Sequence, residues 1–310
     1  MIQNERLIWL DIAKGIAILL MVFGHSTIPA AISDFIWAFH MPLFFIASGY
    51  TTNWDKHTLG YFATHKAKAI LLPFLIYSLI LLLLSHVSSE PVSLGNFLSY
   101  GWISWALWFV PVLYFATILT KLVYIFSNNY LRIIIVLIYL IIAWGLSYYK
   151  IQLAWSLSTV PIAAVFVVIG TELNKISFLQ TTSPKFATII VFLTFVVTAL
   201  ISHLWRLDLC FNKILPLAPL LIGAITGTIM TFAFSILVEK LLPHVSALLE
   251  SIGRETFVIV AFSQIIIVLL NDHLTLNAIY KYTILFIVLA VIAYAKNIIK
   301  QTINNLKRVR

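Results

Sequence analysis

The sequence contains one cysteine, Cys210, in 310 residues. A lone thiol excludes an internal disulfide and any metal site built from several cysteines, and says little about redox compartment. Charge is also scarce: Asp, Glu, Lys and Arg make up 10% of the chain against 62% hydrophobic residues. So few charges cannot clothe a soluble domain of this size. Long polar stretches are missing too. The longest stretch without a strong apolar run is the loop 86–104, so no soluble appendage is expected, and residues 1–310 read as a single polytopic membrane domain. No fixed-period repeat and no low-complexity segment occurs. A net charge of +9 would suit nucleic acid, but the basic residues form no domain or tail able to hold it, and no nucleic-acid partner is expected.

What the sequence does have is a succession of apolar runs. At about 17 to 25 residues per crossing, they predict an all-α integral membrane protein of ten transmembrane helices. The expected spans are 7–27, 34–51, 67–86, 105–126, 132–149, 154–173, 186–204, 214–238, 256–271 and 280–300. Lys and Arg set the orientation. With the N-terminus inside, fifteen of the 20 basic residues fall on cytoplasmic segments and four outside, with Lys14 left within a span. Both termini are therefore expected in the cytoplasm and the protein in the inner or plasma membrane of the cell, surrounded by lipid. A cleaved signal peptide is not expected, because Asp11 and Lys14 interrupt the place of its uncharged core. Trp9, Trp37, Trp54, Trp102, Trp105, Trp144, Trp155 and Trp205 lie near expected helix ends, where indole rings anchor at the headgroup layer. Gly223 and Gly227 have the GxxxG spacing that permits close helix packing.

The chemistry concentrates in LDIAKGIAILLMVFGHS, residues 10–26. A charged side chain near the centre of a membrane helix costs roughly 2.5 to 3.5 kcal/mol, so it faces a cavity or a partner. Asp11 and Lys14 are three apart and pair on one face; alone, they would read as an ion pair snorkelling to the inner surface. Lys14 and His25, however, are eleven apart. At about 100° per residue that returns to nearly the same side of the helix, with a rise of about 16 Å. One stripe thus carries a cation low in the membrane and a titratable imidazole high in it. The second span, DFIWAFHMPLFFIASGY at 34–50, holds His40 well inside, Pro42 to bend it, and Ser48 towards its inner end. The connection is short, so His25 and His40 are expected to share the outer half of one polar cavity.

Residues Lys14 to His25 resemble the Arg/Lys-x10-His motif of the acyltransferase family 3 membrane proteins, and within them the stand-alone sugar O-acetyltransferases of the fucose 4-O-acetylase type. Asp11 matches the acidic residue that precedes the motif. FHMPLFFIASGY (39–50) is similar to the family's second-helix signature, WALWFVPVLY (105–114) to its LWFLP segment, and IGRETFVIVAFSQ (252–264) to its penultimate-helix motif. Two departures stand out. Ser263 and Gln264 occur where that last motif commonly ends in His, and the usually Arg-rich loop after the second helix offers only Lys66 and Lys68. The extracellular hydrolase-like domain fused to some relatives is not part of the sequence.

The resemblance implies O-acyl transfer, with acetyl-CoA as donor, no metal, and a hydroxyl of a surface or lipid-linked carbohydrate as acceptor. In that scheme His25 is the general base, Lys14 with Asp11 attracts the coenzyme's charge or stabilises the oxyanion, and Lys66 and Lys68 bind coenzyme phosphates. His40, Ser48 and Trp108 are the candidates for substrate binding. Acetyl-CoA is cytoplasmic whereas His25 is high in the membrane, so either the pantetheine arm threads the bundle or an acyl group is parked on the protein. A carrier or flippase for a glycan or small solute, and an idle scaffold subunit, are the competing readings.

Overall fold

The apolar runs fold into helices, and among the described residues the only β pairing is an isolated antiparallel bridge between Asp208 and Lys213. The computed structural model describes residues 6–25, 28–103, 105–176, 183–275 and 277–308. Ser26, the expected helix end Thr27, Ser104 and Arg310 lie outside them, as do the side chains of Lys300, Lys307 and Arg308. In chain order the helices are α1 Ile8–Gly24, α2 Ala30–Trp37, α3 His40–Thr51, α4 Leu59–Lys66, α5 Leu72–Ser85, α6 Leu94–Tyr100 and α7 Phe109–Ile125. They continue as α8 Asn129–Tyr148, α9 Val160–Lys175, α10 Pro184–Leu204, α11 Leu217–Leu241, α12 Pro243–Arg254, α13 Thr256–His273 and α14 Ala278–Arg308. Among the described residues nine helical stretches are long and apolar enough to cross a membrane. The shorter α1, 17 residues, takes the place of the tenth expected crossing.

Two spans are interrupted, each upstream of a proline. The second span was expected as one bent helix; instead it breaks at Ala38 and Phe39. Pro42 has no N–H to give the carbonyl four residues back and its ring collides with it, so the helix restarts, with Pro42 in the first turn of α3, where a missing donor is harmless. In the third span, α4 and α5 are joined by a π turn, Ala67–Leu71, just before Pro73, with the Leu72 N–H reaching the Ala67 carbonyl.

Helix α1 is central and packs on α3, α11, α12 and α13. Around it, α7 and α9 are also mostly buried, whereas α8, α10 and α14 show most of their surface to the outside. That exposed surface is Ile, Leu, Val and Phe, as expected of a lipid-facing shell. Lipid is as apolar as leucine, so helix association rests on close packing. Glycines provide it at two crossings. A Cβ on Gly253 would lie 1.8 Å from the Asp11 carbonyl oxygen and one on Gly15 2.2 Å from that of Leu249, so α1 and α12 touch backbone to backbone. Gly49 and Gly170 bring α3 and α9 together in the same way. The Gly223 and Gly227 pair behaves as its spacing suggested, admitting Ile201 and the Phe39 ring.

Helix α12 had not been expected as an element. It is short and amphipathic, too polar to register as a crossing, and lies against the start of α1. Several tryptophans also differ from expectation: Trp9, Trp54, Trp102 and Trp105 are buried in aromatic packing inside the bundle, while Trp144 is exposed.

Candidate active site

The polar residues of α1 lie at two levels. Near its start the buried Asp11 accepts from Lys14 Nζ at 2.6 Å and pairs with Arg6, so a carboxylate that would be costly alone sits between two cations. Arg6 had been counted only as a marker of orientation. Lys14 lines a cavity of about 200 Å³ together with Phe44, Ser48 and Thr51 of α3, Phe109 of α7 and Thr256 of α13. This end of the bundle carries most of the described Lys and Arg residues; it is called the basic end here.

At the far end of α1 a second cavity, about 190 Å³, is lined by Met21 and His25, by His40 and Met41, by Trp108 and by Asp208. His25 and His40 therefore share one cavity, as their spacing predicted. The break before α3 orients His40: its Nδ1–H donates to the Ile36 carbonyl at 2.9 Å, which leaves Nε2 to accept a proton. Trp108, in a 3₁₀ turn leading into α7, contributes to the wall of this cavity.

The cavity is capped by the connection between α10 and α11. Its backbone is gripped from neighbouring elements. Ser147 of α8 donates to the Asn212 carbonyl at 2.7 Å, Thr159 to that of Leu209 at 2.6 Å, and Gln152 to that of Cys210 at 3.2 Å. Burial pushes the Asp208 carboxyl above the usual carboxylate range, although the Phe211 and Cys210 amides and the Lys213 and Arg206 charges pull the other way. Arg206 also approaches Asp34 at 3.4 Å and stacks over Trp37, tying α2 to the rim. The residues that grip this loop from outside are 50 to 65 positions away along the chain.

The remaining candidates fall elsewhere. Ser48 belongs to the Lys14 cavity and not to that of the histidines. Lys66 is half-buried with its ammonium over the Phe62 ring, and Lys68 is exposed; neither lines the basic-end cavity. Lys121 is buried within α7 and donates to the Trp54 carbonyl. Glu172 and Arg254 make local ion pairs with Lys175 and Glu250. Gln264, at the end of the penultimate-helix motif, accepts from the Ala106 N–H at 2.9 Å.

The two cavities lie on one axis. On α1 and its C-cap the stripe is Leu10, Lys14, Met21, His25; on α3 it is His40, Phe44, Ser48, Thr51; on α13 it is Thr256 and Val260. A helical bundle that crosses the membrane many times and buries titratable groups along such an axis is a multi-pass membrane protein with an internal site. The chain belongs to the acyltransferase domain family, acyltransferase family 3, whose model matches residues 7–297, and it is an acyltransferase. No curated protein and no solved structure matches it.

Proposed function

We propose that the protein moves an acetyl group from acetyl-CoA, bound from the cytoplasm at the basic end, to a hydroxyl of a surface or lipid-linked carbohydrate held in the far-end cavity. The membrane is the inner or plasma membrane. The observation that carries this reading is the α1 stripe, which puts Lys14 in one cavity and His25 in the other. His25 takes the acceptor hydroxyl proton as that oxygen attacks the thioester carbonyl; the carbon–sulfur bond of the resulting oxyanion breaks, and the proton passes to the departing coenzyme thiolate. Positioned general-base catalysis of this kind contributes about 100- to 10,000-fold. Helix rise separates Lys14 from His25 by about 16 Å. That favours Lys14 as a coenzyme-binding cation, held by Asp11, over a partner of the oxyanion. Trp108 offers an indole face to the sugar, and His40 a fixed acceptor nitrogen.

The test uses purified protein in liposomes with radiolabelled acetyl-CoA and a panel of glycans and lipid-linked sugars. Wild type transfers label to a glycan, and His25→Ala and Lys14→Ala do not. Undiminished turnover in His25→Ala refutes its role, and solute uptake without transfer favours a carrier.

A further inference from the structure

A third cavity lies on the outside of the bundle, a groove of about 560 Å³ between α2 and α10, within the size range of ligand pockets. Ile32 and Phe35 of α2 face Phe195 and Ala199 of α10 across it, with Asp34 and His203 also on its wall. The Phe35 and Phe195 rings meet at 5.4 Å. From Phe195 to His203, close to the cap, α10 rises about 12 Å. Ile32 and Phe195 are exposed on a surface that faces lipid, so the groove opens sideways to the bilayer.

Trp37, also on α2, lines the far-end cavity instead. Arg206, in the cap, joins the two spaces: its Nε lies 3.4 Å from Asp34 in the groove, and its guanidinium 5.3 Å from the centre of the Trp37 ring. The Arg206 side chain is 63% exposed against 19% for Asp34, so the carboxylate fixes one edge of the guanidinium fork and leaves the rest open to a ligand. Lys213 of the same cap lies over the ring of Phe211, another wall residue of the far-end cavity. Basic residues concentrate on cytoplasmic segments; only four were expected outside, and two of them flank this one cavity. A guanidinium fork matches phosphate, and the groove matches an apolar chain. We propose that the acceptor is a saccharide joined through phosphate to a long apolar chain and that it enters sideways from the bilayer, with the chain in the groove between α2 and α10, the phosphate on Arg206 and the sugar beyond Trp37 in the far-end cavity. This rests on the transfer reading given above and chooses the lipid-linked acceptor over the free surface glycan.

The test presents the sugar that accepts label in the liposome assay in three forms: free, as a farnesyl glycoside, and joined to farnesol through phosphate. The two farnesyl forms share one chain, so partition into the bilayer does not by itself separate them. In wild type the phosphate-linked form has a KM at least tenfold below that of the glycoside. Arg206→Gln abolishes this preference and Arg206→Lys keeps part of it. Ala199→Trp, which fills the groove, raises KM for both farnesyl forms relative to the free sugar, while Leu137→Trp on the lipid-facing side of α8 changes neither. Equal KM values for the two farnesyl forms in wild type overturn the phosphate site without needing any variant. A second measurement is independent of transfer: a radiolabelled farnesyl phosphate bearing a diazirine is photolysed in the liposomes without acyl donor. It labels α2 and α10, and unlabelled farnesyl phosphate protects them where farnesol does not. Equal protection by both overturns the lateral route whatever the transfer assay shows. No transfer to any of the three forms by wild type overturns the transfer reading itself.

Discussion

Gly253→Ala places one methyl group at the tightest helix crossing of the bundle, and its effect follows from the geometry. The new Cβ would lie 1.8 Å from the Asp11 carbonyl oxygen, where ordinary van der Waals contact begins at 3.4 Å. The obstructing atom is backbone, so no rotamer change relieves it, and α1 and α12 must part locally by about 1.6 Å. A gap of 0.5 to 1 Å already forfeits about a quarter to a half of the dispersion well, so most of this interface's attraction is lost near the crossing. Overpacking of this kind destabilises by about 3 kcal/mol. Because Asp11 is the displaced residue, Lys14 moves with it, and KM for acetyl-CoA should rise along with the loss of stability. The single buried thiol of Cys210 provides the assay: a thiol-reactive dye in detergent reports melting as the thiol is exposed. Gly145→Ala and Gly60→Ala, with no neighbour within 4 Å of the added methyl, serve as controls and should melt at or slightly above wild type, since both lie in helices. Gly15→Ala meets the same crossing from the other helix at 2.2 Å, so the double variant should be less destabilised than the sum of the two singles. Gly253→Ala melting with the controls would refute the backbone-contact argument.

Two further outcomes follow from the charges. Asp11→Asn leaves Arg6 and Lys14 without their anion. Breaking a fully buried pair costs about 3 to 5 kcal/mol, but Lys14 and Arg6 are 29% and 55% exposed, so the expected loss is about 2 kcal/mol in the same melting assay. An unchanged melting curve would contradict the pairing. Asp208→Asn works in the opposite direction. Its carboxyl is raised above 3.8 by burial, so the folded state binds more protons than the unfolded one between 3.8 and that raised value, and wild-type stability falls as pH rises through the window. The variant should melt above wild type at pH 7 and level with it below pH 3.8. A difference that does not change with pH would show that Asp208 is solvated.

Much of the fold could be read from the sequence because a lipid-facing helix must be apolar along its whole length, and such runs are local. The predicted ends of the spans from Trp105 to Leu204 agree with the helices to within a few residues. Helix α12 escaped because its stabilising contacts are with α1, and neither its length nor its hydropathy marks it as a span. The break at Phe39 was visible only as a bend, since sequence shows that Pro42 disrupts a helix but not where the chain restarts. Among the site residues, the spacing of Lys14 and His25 pointed to one shared crevice, but a rise of about 16 Å puts them in separate cavities; the short connection correctly joined His25 to His40. Ser48 was assigned to the inner end, where it is found. The cap over the far-end cavity was not legible, because the loop that carries Asp208 is held by α8 and by the connection between α8 and α9, 50 to 65 positions away along the chain.

The way that cap is fastened has a consequence for how the protein can change. Ser147, Gln152 and Thr159 hold it through main-chain oxygens, which every residue type supplies. Leu207, Asp208, Leu209 and Phe211 can therefore be exchanged while the clasp endures. New preferences for the molecule entering from that side are open to these four positions, with the machinery beneath left untouched.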